Sequence, residues 1–133
     1  MEEVLKFLSE NPIFYVATVE GDKPRVRPFG FFMEYENKLY FAVGSHKKAY
    51  QQMSSNPYVE ISTASGKGEW IRISGKAVFD ERPETTAKAL EIVPSLKAIY
   101  NEESGLKLAP FYLTEAYAEI ADFSGGFKKI ALS

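Results

Sequence analysis

The chain has 133 residues, a net charge of -2, no cysteine, 45% hydrophobic residues and 26% charged residues. This composition predicts one soluble globular domain spanning residues 1–133, and it fits a reducing cytoplasm. The lack of cysteine excludes disulfides, cysteine-ligated zinc, iron–sulfur clusters and thiol nucleophiles. The small charge gives no general attraction to nucleic acid or to an anionic membrane, so any anion site has to be local.

The first part of the chain predicts one helix and three strands. An acidic, amphipathic segment predicts a helix over Glu2–Glu10, and we expect neither a signal peptide nor a membrane-spanning segment. Alternating and β-branched residues predict strands over residues 13–19, 25–35 and 38–43, the last two forming a hairpin. Pro28 and Gly30 within the second strand indicate an edge, a bulge or a close backbone approach.

The remainder predicts further strands with helices between them. The elements are a helix at 46–54, strands at 58–64 and 69–79, a helical pair at 82–100 broken at Pro94, and a strand at 110–123. A Gly-Gly turn then leads into the terminal segment, where one short strand is compatible with the pattern. About six to seven antiparallel strands with helices outside predict a mainly β fold, a Greek-key barrel.

The helix predicted after "KLYFAV" begins with an unusual concentration of positive charge. His46, Lys47 and Lys48 crowd its first turn, although a helix N-terminus is already electropositive. A bound anion would make this arrangement favourable, with Ser45 as the N-cap or as a hydroxyl donor to the same anion. The alternative is a capped helix with solvated lysines, and the residues alone leave the two readings about equal.

Two other stretches carry possible binding residues. Arg25 and Arg27 share a strand face, and arginine forks bind phosphate or carboxylate, although exposed strand faces commonly carry arginines for no such reason. Trp70 lies on the polar face of its strand, where it is either an interface or ligand anchor or packs beneath a helix.

The sequence holds no recognisable catalytic constellation. His46 is the only histidine, so no metal site is expected. The carboxylates are scattered, and no nucleophile elbow, P-loop or dinucleotide fingerprint is present. Catalytic residues therefore stay unassigned at this point.

Three stretches taken in order, "RVRPFG", "YFAVGSHKKA" and "WIRISG", resemble the pyridoxamine 5′-phosphate oxidase-like FMN-binding split barrels. The resemblance is greatest to the small clade of nitroimidazole-resistance flavoproteins and general-stress-type proteins, and covers residues 13–79. It implies a split barrel that binds FMN at a homodimer interface and acts as a flavin-dependent oxidoreductase on a small molecule. NAD(P)H or another reductant would supply electrons.

The resemblance also implies which residues bind the cofactor. The first stretch corresponds to a strand lining the flavin and its phosphate, and the second to the phosphate clamp and its approach. Trp70 takes the place of a glutamine that reaches the flavin from the partner subunit. The implied residues are Arg25, Val26, Arg27, Pro28, Phe29, Ala42, Val43, Ser45, Lys47, Lys48 and Trp70.

The chain departs from the family pattern at three places. Gly30 falls where the oxidase has lysine, and Arg27 is the candidate substitute for that charge. Ala42 lies near an oxidase hydroxyl, or the histidine of the nitroimidazole proteins, and supplies neither group. The end of the chain, "FKKIALS", lacks the oxidase's substrate-recognition segment, which argues against oxidation of pyridoxamine phosphate.

Two other functions remain open on the sequence. A non-catalytic carrier or sensor would bind flavin, haem or deazaflavin on the same barrel. Haem would favour His46 as its axial ligand, and deazaflavin would need a longer basic groove. A barrel without a cofactor would leave the clustered cations and Trp70 unexplained.

Overall fold

The structure is a computed structural model, which describes residues 1–132. It contains eight strands: β1 Phe14–Glu20, β2 Lys23–Phe29, β3 Phe32–Tyr35, β4 Lys38–Gly44, β5 Tyr58–Ala64, β6 Glu69–Phe79, β7 Leu108–Asp122 and β8 Phe127–Ala131. Its helices are α1 Glu2–Glu10, α2 Lys48–Ser55 and α3 Pro83–Ile92, with a short 3₁₀ helix at Pro94–Ala98. None of the helices within residues 1–132 combines the length and the hydropathy that crossing a membrane requires.

All eight strands belong to one antiparallel sheet. Its order is β2-β1-β5-β6-β7-β4-β3, with β8 paired to β7. The two end strands of this order, β2 and β3, are joined in the chain by residues 30–31 alone. The sheet therefore has to curl until its ends meet, which produces the split barrel. The predicted mainly β, Greek-key fold is confirmed.

The predicted strand over residues 25–35 is wrong in one respect, because it is two strands. β2 pairs with β1 and β3 pairs with β4, so the chain changes neighbours at Gly30 and Phe31. Side-chain alternation continues across such a corner, so the pattern does not reveal it. The predicted hairpin is confirmed for β3 and β4, with Glu36 and Asn37 at φ 52° and 62° as a two-residue type I′ turn requires.

The barrel interior is filled by one face of each long strand. Ile71 and Ile73 of β6 are fully buried while Arg72 between them is exposed, as the alternation predicts. α1 adds Val4 and Leu8 to the same core. Because these side chains occupy the inside, ligands have to bind on the outer surface and at the strand ends.

The helix after β4 begins later than predicted. α2 starts at Lys48, and Lys47 is its N-cap residue, without a side-chain capping bond. The predicted role of Ser45 as N-cap is therefore wrong. Its backbone N–H instead donates to the carbonyl oxygen of Lys107 at 2.9 Å, which ties the end of β4 to the start of β7.

Candidate functional site

A cleft of about 470 Å³ opens on the outside of the barrel beside the first turn of α2. It lies between the corner joining β2 to β3, the end of β4, the start of α2 and the segment around the 3₁₀ helix. Its lining residues are Arg27, Pro28, Phe29, Gly30, Phe31, Ala42, Val43, Gly44, Lys47, Lys48, Ala49, Val93, Leu96, Ile99, Tyr100 and Leu108. Its volume falls within the range typical of small-molecule sites.

The lining combines positive charge with flat apolar surface. Arg27, Lys47 and Lys48 contribute three cations, and no carboxylate lies among the described lining residues. The remaining wall is aliphatic and aromatic, including Phe31 and Tyr100. Such a surface suits a ligand that joins an anionic group to a flat apolar body.

The guanidinium of Arg27 is held in position by the barrel wall and α2. Its Nη1 donates to the carbonyl oxygen of Val16 at 3.1 Å and to Oγ1 of Thr18 at 2.8 Å. Its Nη2 donates to Oε1 of Gln52 at 2.6 Å, and the Thr18 hydroxyl donates to the same oxygen at 2.5 Å. Thr18 and Gln52 are themselves buried, so this arrangement fixes the arginine.

The arginine is left with donors for a ligand. A guanidinium carries five N–H donors, and three of those of Arg27 are used within residues 1–132. Partial burial lowers the pKa of Arg27 from its ordinary value, but arginine stays charged at neutral pH. The other two N–H groups of Arg27 have no acceptor within residues 1–132.

Arg25 has a different environment from Arg27. Its Nε donates to Oε1 of Glu20 at 2.9 Å, and both side chains are about half exposed. This hydrogen bond, and the charge of Arg25, lower the pKa of Glu20. Oε2 of Glu20 also accepts from the Gln52 amide nitrogen at 3.5 Å. Arg25 therefore belongs to a surface pair and does not line the cleft.

The first turn of α2 brings two further cations to the cleft. Lys47 and Lys48 are both exposed and line it. The first N–H groups of any α-helix lack intrahelical acceptors, and the helix dipole adds positive potential there. The predicted concentration of positive charge at this helix end is therefore present, adjacent to the fixed arginine.

Seven of the eleven residues predicted for cofactor binding line this cleft: Arg27, Pro28, Phe29, Ala42, Val43, Lys47 and Lys48. Ser45 lines an adjoining cavity. Arg25, Val26 and Trp70 lie outside both cavities.

Val26 and Trp70 lie on the outer face of the sheet. Strand pairing places Val26 opposite Ala17, and Trp70 opposite Ala64. Val26 is 67% exposed, and Tyr15 on the same face is 49% exposed. The face runs continuously across β2, β1, β5 and β6, and Pro28 on it also lines the cleft.

Sequence reasoning missed the residues that support the cleft. Thr18 and Gln52 fix Arg27, and Tyr100 supplies part of the wall. A polar residue on an otherwise apolar strand face was the available signal for Thr18. Nothing in the sequence indicated that the polar side chain of Gln52 would be buried. Which residues of α2 face the barrel depends on how the helix packs, and this is not encoded locally.

His46 is exposed, and its ring lies 6.3 Å from that of Tyr100, centroid to centroid. It does not belong to the described lining of the cleft. No group of three or more metal-ligating side chains is found within residues 1–132.

The barrel and its cleft define the class of protein, a split barrel with an outward-facing cationic cleft. A family model described as pyridoxamine 5′-phosphate oxidase matches residues 1–110. The chain belongs to this family. A search of curated protein sequences gives no match.

Solved structures agree with this assignment. The chain is 46% identical to a NimC/NimA family protein from Clostridium acetobutylicum, covering 98% of this chain and 90% of that one, with a TM-score of 0.90. It also matches a pyridoxamine 5′-phosphate oxidase-related, FMN-binding protein from Nostoc punctiforme at 16% identity, 96% and 87% coverage and a TM-score of 0.63. A heme-binding protein from Mycobacterium smegmatis matches at 15% identity, 98% and 57% coverage and a TM-score of 0.73. The last two similarities show the fold alone.

Proposed function

We propose that this protein is a homodimeric flavoprotein that binds FMN and acts as an oxidoreductase on a small molecule. The observation that carries the proposal is the cleft, which Lys47, Lys48 and the fixed Arg27 line together with the aromatic side chains of Phe29, Phe31 and Tyr100. A phosphomonoester is nearly doubly charged at neutral pH, and a flavin ring is flat and aromatic. The described residues therefore fit both ends of FMN.

The residues have separate roles in this proposal. Lys47, Lys48 and the free donors of Arg27 bind the phosphate by charge-assisted hydrogen bonds. Phe29, Phe31 and the backbone of β4 orient the ring system and exclude water from one side of it. FMN, when bound, supplies reversible transfer of electrons or hydride, with NAD(P)H or another reductant as the source.

The outer face of the sheet supports a dimer. Tyr15 and Val26 are large, apolar and about half to two-thirds exposed on it. Trp70 lies on the same face and outside the cleft of its own protomer. Pairing two copies through this face would cover the apolar residues and would bring Trp70 of each copy toward the Pro28 edge of the other cleft.

A haem protein on the same barrel is the second candidate, since a relative with this fold is described as heme-binding. The structure favours FMN over haem because His46, the only histidine, does not line the cleft. Haem bound in this cleft would lack a histidine ligand from the same chain.

An absorbance spectrum of the purified protein tests the proposal. The protein is mixed with excess FMN, desalted and passed through size exclusion with light scattering. We expect a retained flavin doublet at one flavin per chain and the mass of a dimer. A folded protein that retains no flavin, or shows a Soret band in its place, would overturn the FMN assignment, and a monomeric mass would overturn the dimer.

Gln52→Glu should weaken FMN binding selectively. The new carboxylate would lie where Oε1 of Gln52 accepts from Arg27 at 2.6 Å, so it would pair with the arginine and repel the phosphate. We expect the Kd for FMN to rise about tenfold, as one weakened charge-assisted bond implies. The Kd for riboflavin, which lacks the phosphate, should change less than about twofold. Flavin fluorescence titration measures both.

Gln51→Glu is the matched control, because it adds the same charge one residue earlier on the exposed side of α2. It should leave both dissociation constants close to those of the unmodified protein. Equal weakening by the two variants would show that general charge, and not the contact with Arg27, determines the effect.

A further inference from the structure

A second and larger cavity, of about 860 Å³, adjoins the cationic cleft. It lies between the end of β6, the start of β7, α3 and the segment 100–107, with Tyr50 of α2 at its base. The function proposed above makes no use of it.

The base of this cavity is aromatic and aliphatic. The rings of Tyr50 and Phe79 lie 4.6 Å apart, centroid to centroid, and Phe79 also contacts Phe111 of the barrel core at 5.7 Å. The apolar lining also includes Leu90 of α3, Leu108 of β7, Pro83, Leu106, Ala109 and Pro110. A lining of this kind favours a small ligand with an aromatic ring.

The charge of the cavity is opposite to that of the cleft. Its ionisable lining comprises Asp80, Glu81, Glu102 and Lys107, apart from the tyrosines. Asp80 is paired with Arg82 at 2.8 Å, which leaves two exposed carboxylates against one lysine. The cavity therefore disfavours anions, whereas the cleft attracts them.

The two cavities share a wall made by Tyr100 and Leu108. A Cβ atom placed on Gly44 would lie 2.7 Å from the Tyr100 hydroxyl, so the glycine allows this hydroxyl to lie against the end of β4. Within residues 1–132 the Tyr100 hydroxyl makes no hydrogen bond, and no buried polar side-chain atom there lacks a partner, so this hydroxyl is accessible to solvent. Partial burial raises the pKa of Tyr100, so it remains a proton donor at neutral pH. A ligand in the larger cavity could accept this hydrogen bond.

We propose that the larger cavity is a binding site for a small aromatic molecule that is neutral or positively charged, with Tyr100 at its boundary with the cleft. Charge complementarity selects this ligand class, and the aromatic base supplies its contact surface. The proposal rests on Ser45, Tyr50 and lining residues within 79–110, and it holds independently of whether flavin binds in the adjoining cleft.

Three matched probes test the site by NMR titration of the purified protein, with any flavin it retains. They are phenethylamine, 2-phenylethanol and 3-phenylpropionate, which share a ring and differ in charge. We expect saturable shifts of the amides of Thr86, Leu90 and Ala109 with the amine and the alcohol. The amine should bind about threefold to fivefold more tightly than the carboxylate, as partly exposed charges imply.

Substitutions separate the cavity from the cleft. Leu90→Trp fills the cavity and should abolish the shifts at Thr86 and Ala109 while FMN retention is unchanged; Thr86→Phe serves the same purpose if the first variant does not fold. Glu81→Gln with Glu102→Gln should remove the preference for the amine. The proposal is overturned if no probe gives saturable shifts in the cavity, or if the carboxylate binds there as tightly as the amine. Loss of flavin binding with these shifts intact would count against the proposed function alone.

Discussion

Replacing Lys47 and Lys48 together by alanine should weaken FMN binding about a hundredfold. A hydrogen bond to a charged group contributes about 1.5–3 kcal/mol. Because both lysines are exposed, we expect the lower value for each of them, which together corresponds to about a hundredfold in Kd. Riboflavin should bind both proteins about equally, because it has no phosphate for the lysines to contact. The ratio of the two dissociation constants, from flavin fluorescence, is the quantity to measure.

The matched control replaces Lys6 and Lys67 by alanine. Both are exposed lysines outside the cleft, so this variant has the same net charge as the first. We expect its affinity for FMN to stay within about twofold of the unmodified protein at 0.15 M salt, where distant charges are screened. If the control variant loses as much affinity as the first, the lysines of α2 act only through overall charge. Equal losses for FMN and riboflavin would place the phosphate elsewhere.

Asp80→Ala should destabilise the folded protein by about 3 kcal/mol. The Asp80 carboxylate is buried at the junction of β6 and α3 and accepts from the Tyr40 hydroxyl at 2.7 Å and the Thr85 hydroxyl at 2.9 Å. It also pairs with Arg82. Alanine would leave two buried hydroxyls without this acceptor. Urea unfolding at pH 7 measures the change, with Asp22→Ala as an exposed control expected to lie within about 0.5 kcal/mol of the unmodified protein.

The Asp80 carboxylate also makes the free energy of unfolding depend on pH. Hydrogen bonds from Arg82, and then from Tyr40 and Thr85, hold the pKa of Asp80 far below its ordinary value of 3.8. Burial and the hydrogen bond to Asp80 raise the pKa of Tyr40, which keeps this donor protonated. The native state therefore binds fewer protons at this site than the unfolded chain does.

The contribution of Asp80 is fully present above its unfolded pKa and is lost as the pH falls through the lower folded value. The stability difference between the unmodified protein and Asp80→Ala should accordingly be constant above about pH 5 and shrink progressively as the pH is lowered below the ordinary aspartate value of 3.8. A difference that stays constant over this range would show that the carboxylate contributes by packing and not by charge.

The lysines and Arg27 line the cationic cleft, whereas Asp80 joins β6 to α3 through its hydrogen bond with Thr85. The larger cavity lies between them, bounded by α3 on one side and by Tyr100 on the other. A variant at Asp80 could therefore change that cavity without contacting a ligand in the cleft.

The sequence by itself determined the strand-rich class, the family and seven of the sixteen residues that line the cleft, including its three cations. Alternation fixes which face of β6 is buried, because side chains of a strand point to opposite sides in turn. The order of three short stretches indicated the pyridoxamine 5′-phosphate oxidase family. The lysines at the start of α2, Lys47 and Lys48, stood out in the sequence because positive charge at a helix N-terminus is unfavourable without an anion.

Only the tertiary structure decided how these pieces meet. The division of residues 25–35 into β2 and β3 depends on two different pairing partners, which local alternation does not encode. Arg25 and Arg27 have different environments because Arg25 pairs with Glu20 of β1, whereas Arg27 donates to Gln52 of α2. Thr18 and Gln52 are 34 residues apart in the chain, and their contact is what fixes Arg27. Local patterns record burial and propensity, whereas such contacts arise only when distant strands and helices pack.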